Sequence, residues 1–384
     1  MDTLRLPKHK EKIGYRNNTY AVETEYDSLL SRVSVRLFKN MRLVSSRSIK
    51  IREAEFEELP ERARIEKLKE KIAYYHREEY ALLLSLFELS QKLRNSEDGL
   101  SHHSLGLVFL CRELLEEAKE EFTAARAKFP NYSQVYNHLG IVCLKSGKIE
   151  EGIKNFQTAL RINPEFADYH HNLGNAYLEK KSYQEAEKEL REALRINPRY
   201  QEVYLNLGYS FLERSREDAD ISTEPILQEA LDNFKNAYRC GFKKDIRMEE
   251  LLEKAFTWED LSRIYMLLKN LLTEESSLDI KSLCEYFRLR FKYDPRAVEK
   301  KEVEDYLIQL YQEIVEGKNY PDLRYDLALA YIFYSRYFLK LARKQFQNVI
   351  QLSKDENPGE SNLKITQGLE KKVAEFLEEV GIKS

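Results

Sequence analysis

The sequence predicts a mainly α protein: an α-solenoid of helix-turn-helix units behind a small antiparallel β meander. Two observations point to the solenoid. A Leu-Gly pair recurs at Leu105-Gly106, Leu139-Gly140, Leu173-Gly174 and Leu207-Gly208, always 34 residues on, and a fixed period of that length marks one structural unit used repeatedly. Around these pairs apolar residues follow helical spacing. The third observation, for the meander, is that upstream of residue 52 the apolar period is two, that of a strand.

Taken in order, Tyr20 and Val22, then Val33, Val35 and Leu37, then Leu43, and finally Ile49 and Ile51 alternate through residues 12–51. Asn17-Asn18 and Asn40-Met41 are expected turns, because Asn tolerates left-handed backbone angles. Three or four strands are therefore expected in a β-rich domain of residues 1–55, too small to bury much apolar area unless it packs on the helix that follows. That helix runs from Pro60, a residue favoured in a first turn, to about Arg94, with Ile65, Leu68, Ile72 and Tyr75 on one stripe and Leu82, Leu83, Leu86 and Leu93 continuing it. Within residues 56–98 it should connect the meander to the repeats and cap the first one. Asn95-Ser96-Glu97-Asp98-Gly99 breaks the helix.

Residues 167–200 show the unit most cleanly. Leu173, Gly174 and Tyr177 share a face of a first helix, and Ala186, Leu190 and Ala193 a face of a second. Small Gly174 and Ala186 let the backbones approach to ~8–10 Å while Tyr177 and Leu190 fill the space beside them. Lys181-Ser182 make the turn, and Pro198 after Asn197 stops the second helix because it lacks an amide donor. Residues 245–320 lose this signature but stay helical in pattern, with candidates at Met248–Phe256, Trp258–Thr273, Leu278–Phe291 and Val298–Glu316. They are either decayed hairpins or a helical insert. Within 321–384, Leu327, Ala328, Tyr331, Ala342, Phe346 and Val349 outline a divergent fifth unit, and a last helix from Glu360-Ser361-Asn362 to about Val380 turns Val373, Phe376 and Leu377 inward as a cap.

The pattern resembles the tetratricopeptide repeat family, whose units are 34-residue helical hairpins. Four copies make up residues 99–244. Residues 99–132 match through Leu105, Gly106, Phe109, Ala118, Phe122, Ala125 and Pro130, and 133–166 through Tyr136, Leu139, Gly140, Phe156, Ala159 and Pro164, with Cys143 and Gly152 departing from the pattern. Residues 167–200 follow. Residues 201–244 carry Tyr204, Leu207, Gly208 and Phe211, then resume ten residues late at Ala230, Phe234 and Ala237 after an insertion around Ser215–Glu224, and lack the closing Pro. The resemblance implies that the first helices line a concave surface that binds proteins or peptides.

Composition agrees. Repeat arrays grow past ordinary domain size because each unit contacts only its neighbours, so 384 residues are accommodated. With 62 basic and 65 acidic residues the net charge of −3 gives no electrostatic reason to expect nucleic acid or anionic membrane. The polar amino terminus lacks a signal-peptide core, and no apolar run reaches the ~18–20 residues of a spanning helix. A cytoplasmic protein is expected. Cys111, Cys143, Cys240 and Cys284 are far apart and sit in helical patterns, as reduced packing residues do.

Chemistry is sparse. No dinucleotide loop, nucleophile elbow or paired-histidine zinc motif occurs, so no catalytic residue, metal ligand or cofactor is assigned. Gly140 to Gly147-Lys148 has the wrong spacing for a phosphate loop. His102-His103 and His170-His171 occupy equivalent repeat positions, the first of each pair expected at the hairpin interface and the second on the inner surface. The period also generates rows. Ser104, His138, Asn172 and Asn206 form one, and His103, Asn137 and His171 its neighbour, with Asn175 and Tyr209 one turn on. An asparagine amide offers both donor and acceptor and can hold a peptide group without reading its side chain. In the family some members use Asn at that row this way, so His138, Asn172, Asn206, Asn137, His171, Asn175 and Tyr209 form the candidate partner-binding set, against a solvated groove as the plain alternative. Members that clamp a terminal carboxylate add several Lys or Arg, whereas Glu179 and Glu213 stand here and only Lys145 is basic. The leading reading is a non-catalytic scaffold or adaptor for a protein or peptide partner. The alternative is a repeat arm on a small amino-terminal sensing or enzymatic module, where Glu23, Glu25 and Asp27 near Tyr26 are the candidate cation ligands. Self-association into a homo-oligomer also stays open.

Overall fold

A computed structural model describes residues 8–28, 30–51, 59–217, 223–241, 245–274, 278–293, 300–315 and 358–379, with residue 6 and scattered positions between 327 and 347. They divide into two compact units, Met1–Leu82 with Asn95–Asp279, and Leu83–Arg94 with Ile280–Ser384.

The first unit opens with four strands, β1 (His9–Tyr15), β2 (Asn18–Asp27), β3 (Arg32–Lys39) and β4 (Arg42–Lys50), antiparallel and in chain order. Two tight turns hold Arg16-Asn17 at φ 45° and 63° and Asn40-Met41 at φ 49° and 66°, left-handed geometry whose twist suits a hairpin. The first turn falls one residue before the expected Asn17-Asn18 because Asn18 already pairs with Tyr15. Tyr20, Val22 and Thr24 of β2 and Val33, Val35 and Leu37 of β3 form the buried face. Leu43, one of the alternating apolar residues, is 56% exposed. A register shift between Leu37 and Phe38 sets Leu43 opposite Phe38, on the outer face, while Ile49 stays opposite Val33.

Helix α1 (Glu61–Leu93) starts directly after Pro60. His76 Nδ1 lies 3.1 Å from Thr24 Oγ1, and Arg112 Nη1 donates to both Glu79 oxygens at 3.0 Å, with Arg47 also on Glu79 at 3.4 Å. From Leu83 onward the helix belongs to the second unit.

Four helical hairpins follow: α2 (Gly99–Cys111) with α3 (Leu115–Lys128), α4 (Ser133–Lys145) with α5 (Ile149–Ile162), α6 (Ala167–Glu179) with α7 (Tyr183–Ile196), and α8 (Gln201–Glu217) with α9 (Thr223–Gly241). The recurring glycine is set by close approach. A Cβ on Gly106, Gly140 or Gly208 would meet the ring of Phe122, Phe156 or Phe234 at 2.6, 2.5 and 2.5 Å. Each regular turn puts one residue in the left-handed region, Glu113 at φ 60°, Gly147 at 73° and Lys181 at 62°; glycine alone adopts it without steric cost. That role explains Gly147. Asn163 and Asn197 leave their helices extended, as residues before proline do. Tyr136, His170 and Tyr204, 34 apart, then bond back to the carbonyls of Pro130, Pro164 and Pro198 at 2.9, 3.0 and 3.2 Å. The insertion in the fourth hairpin lengthens α8 to Glu217; residues 218–222 lie outside the described set.

The sheet is fastened to α3 as well as to α1. The Tyr20 hydroxyl donates to Glu117, Lys39 bonds Glu116 and Glu117, and Arg16 pairs with Glu120 and Glu121. Helices α10 (Ile246–Lys254) and α11 (Trp258–Glu274) complete the unit. Leu261, Ile264 and Leu268 share one core with α8 and α9, and Trp258 Nε1 donates to Leu212 O at 3.2 Å. Helix α11, in the region that had lost its sequence signature, thus packs on the last hairpin.

In the second unit, α12 (Leu278–Tyr293), α13 (Lys300–Val315) and a helix at Pro358–Glu379 accompany the end of α1. Buried Arg290 donates to Ser85 Oγ at 2.8 Å and to Glu302 at 3.4 Å, and Phe287 stacks on Tyr306 at 4.1 Å. Of the divergent fifth unit, Leu327 is buried and Tyr331 exposed; Ala328, Ala342, Phe346 and Val349 lie outside the described residues, as do the side chains of Phe376 and Leu377.

Candidate functional site

First helices of successive hairpins touch one another directly, α2 with α4, α4 with α6 and α6 with α8. This brings the two predicted rows together as a ladder with a step of 35 residues. His103 Nε2 lies 2.9 Å from His138 Nδ1, Asn172 Nδ2 donates to Asn137 Oδ1 at 2.9 Å, and Asn206 Nδ2 lies 3.0 Å from His171 Nε2. The next rung would start at Leu205, which is apolar and buried, so the ladder ends there. Asn175 closes a triangle, its Nδ2 being 3.1 Å from His171 Nε2 while its Oδ1 accepts from Asn206 at 2.8 Å.

The two histidine pairs resolve into opposite chemistries. His170 Nδ1 bonds a Glu189 carboxylate oxygen at 2.7 Å and Nε2 bonds the Pro164 carbonyl. Both partners are acceptors, so both ring nitrogens carry hydrogen, and the bond to Glu189 raises the pKa above the usual histidine range. His102 repeats the arrangement on Glu121 at 2.7 Å and is raised for the same reason. His171 instead receives two amide donors at Nε2. Burial pushes its pKa down to about 4, which keeps the ring neutral. His103 and His171 are 5% and 7% exposed, enclosed between consecutive first helices rather than standing on the inner surface as expected. The physical reason is that the position facing the next hairpin's first helix is covered by it.

The half-buried members of the set are His138, Asn172, Asn175, Asn206 and Tyr209. His138 stacks on Phe122 with centroids 5.4 Å apart, and Tyr209 stacks on Tyr265 of α11 at 4.5 Å. Sequence reasoning missed Tyr265, because α11 carries no repeat signature. It also missed Glu121 and Glu189, whose equivalence to each other, 68 positions apart, was the available signal.

The amino-terminal acids are engaged within the sheet. Glu23 pairs with Lys8 at 3.3 Å and with Lys10, Glu25 with Lys8 at 3.2 Å and with Arg36, and Asp27 accepts from Leu30 N at 3.2 Å. Lys10 and Lys8 hold the Glu23 carboxyl below its usual range. Among the described residues no three His, Cys, Asp or Glu converge to hold a metal. Cys111, Cys143 and Cys240 are free thiols, and burial raises that of Cys143. No helix among them is long and apolar enough to cross a membrane.

Stacked antiparallel hairpins with this ladder define a helical-repeat array of the protein-interaction class. The family model for the TPR repeat matches residues 140–181 and 174–214, so this stretch of the array carries tetratricopeptide repeats. Solved structures with partial likeness include MamA residues 41-end from Desulfovibrio magneticus RS-1 (16% identity over 45% of this chain and 93% of that one, TM-score 0.37). YrrB, titled a TPR protein with an unusual peptide-binding site, is 17% identical over 54% of this chain and 93% of its own, TM-score 0.35. The Arabidopsis OM64 TPR domain is 19% identical over 36% and 94%, TM-score 0.26. No curated protein sequence matches.

Proposed function

We propose that the chain is a non-catalytic scaffold that binds a segment of another protein along the face of its first helices. Tetratricopeptide repeats support a protein-interaction role in general. The observation that carries the finer reading is the polarity of the ladder. Asn172 and Asn206 spend their amide nitrogens on Asn137, His171 and Asn175, which orients their side-chain oxygens, on half-buried residues, as acceptors for a partner's backbone N–H. In this reading Asn172 and Asn206 touch the partner, Asn137, His171 and Asn175 hold them in place, and His138 and Tyr209 border the contact. The free thiols suit a reducing compartment such as the cytoplasm.

Affinity capture from native lysate with the intact chain and with the Asn172→Ala/Asn206→Ala double variant tests this. Each lost hydrogen bond should cost about 0.5–1.5 kcal/mol, so the double variant is expected to lose partners that the parent retains. Identical recovery from a normally folded variant removes the asparagines from the reading.

A further inference from the structure

On α6 the positions i, i+4, i+7 and i+11 read Asp168, Asn172, Asn175 and Glu179. On α8, 34 residues later, the same stripe reads Glu202, Asn206, Tyr209 and Glu213. This spacing keeps each set on one helical face, so both hairpins present a carboxylate at either end of the ladder. The equivalent ends on α4 are Gln134 and Lys145.

None of these four carboxylates has a matching cation, whereas several others in the array do. Glu113 meets Lys145 at 2.7 Å, Glu150 meets Lys180 at 3.0 Å and Glu187 meets Arg214 at 3.1 Å. Among the described residues none of Asp168, Glu179, Glu202 and Glu213 pairs with a Lys or Arg; Asp168 accepts only from the Tyr200 hydroxyl. Asp168, Glu179 and Glu202 are exposed. Glu202 is open to solvent on one side yet enclosed enough that the surrounding protein, and then Asp168, raise its carboxyl. The Tyr209 hydroxyl is raised by burial and then by Glu213, Tyr265 and Glu179, with Arg216 acting the other way. Asp168 and Glu202 thus repel each other at one edge of the face, and a cationic ligand relieves that repulsion.

Resting on the first-helix face as the partner site, we propose that its α6–α8 portion takes an extended segment bearing Lys or Arg side chains three residues apart. Neighbouring helices pack ~8–10 Å apart, and a polyproline-like segment advances ~3.1 Å per residue with three residues per turn. Every third side chain therefore lies on one side at about the helix spacing, one cation for each hairpin's carboxylates.

Fluorescence anisotropy of the full chain with short labelled Gly/Pro/Lys peptides tests this, the Lys set at every third position, against a matched Glu peptide. The Lys peptide is expected to bind and the Glu peptide not to. Glu179→Gln/Glu213→Gln should weaken binding about tenfold or more, whereas Glu151→Gln/Glu185→Gln, which removes equal charge from second helices, should change it less than about twofold. Equal weakening by both pairs, no weakening by either, or equal binding of the Glu peptide overturns the proposal. Native-partner capture separates the two readings: loss with Asn172→Ala/Asn206→Ala but not with Glu179→Gln/Glu213→Gln leaves the scaffold standing and removes the basic segment. The converse keeps the carboxylate face and removes the asparagines.

Discussion

Replacing His171 by Leu isolates the energetic consequence of burying a neutral imidazole inside the ladder. His171 is 7% exposed and accepts from Asn175 and Asn206. Its folded pKa, about 4, lies below the ordinary 6.5, so the unfolded chain takes up the proton first as pH falls. The stability this residue contributes is therefore fully present above ~6.5 and is lost as pH drops toward the folded value. Comparing the two protonation curves at pH 7.5 and pH 4.5 gives a loss of about 2–3 kcal/mol. Leu is tolerable because Leu205, at the equivalent place one repeat on, is itself buried. Urea unfolding of parent and His171→Leu at both pH values checks the number. Carboxylates and the remaining histidines titrate alike in both chains, so their contributions cancel in the difference. The parent should lose about 2–3 kcal/mol more than the variant over this pH interval. Equal losses, within about 0.5 kcal/mol, would show that the ring is not held neutral by its surroundings, and the reasoning fails.

Three other perturbations follow from the same geometry. Gly140→Ala places a Cβ 2.5 Å from the Phe156 ring; overpacking of about 1–3 kcal/mol should exceed the ~1 kcal/mol gained in helix propensity, and an unchanged or higher urea midpoint contradicts this. Lys181, at φ 62°, should be better served by glycine, so Lys181→Gly should raise stability by about 0.5–1 kcal/mol, and a lower melting temperature refutes the strain. Glu189→Gln should lower the His170 pKa read by NMR titration, because the Glu189 bond is the main cause of its rise. The parent pair's stabilisation is present below the ordinary 6.5 and lost as pH rises through the raised folded pKa, and a variant with an unmoved titration rules this out.

How much was legible depends on the range of the interaction. Gly106 against Phe122, Gly140 against Phe156 and Gly174 against Leu190 are each 16 residues apart, inside one unit, and their pattern reads directly from the chain. The helix starts at 258 and 278 were legible for a similar reason, local apolar spacing next to breakers. The exposed side of Leu43 was not legible, because alternation assumes an unbroken register and the shift between Leu37 and Phe38 is a property of two strands together. The candidate rows were visible as a period, but their mutual bonding was not. A repeat shows which positions are equivalent, whereas the 35-residue step arises from how one hairpin leans on the next.

By itself the sequence determined a meander followed by repeated helical hairpins, since small-against-large packing, turn chemistry and proline stops all act within about 34 residues. Only the tertiary structure decided that His170 is charged and its neighbour His171 neutral, because one meets a carboxylate and a carbonyl and the other two amide donors from residues on α6 and α8. It alone also divided α1 between two units and left four carboxylates on one face without cations. Protonation and pairing follow from which groups surround a side chain in space, and those groups come from helices that the local pattern does not connect.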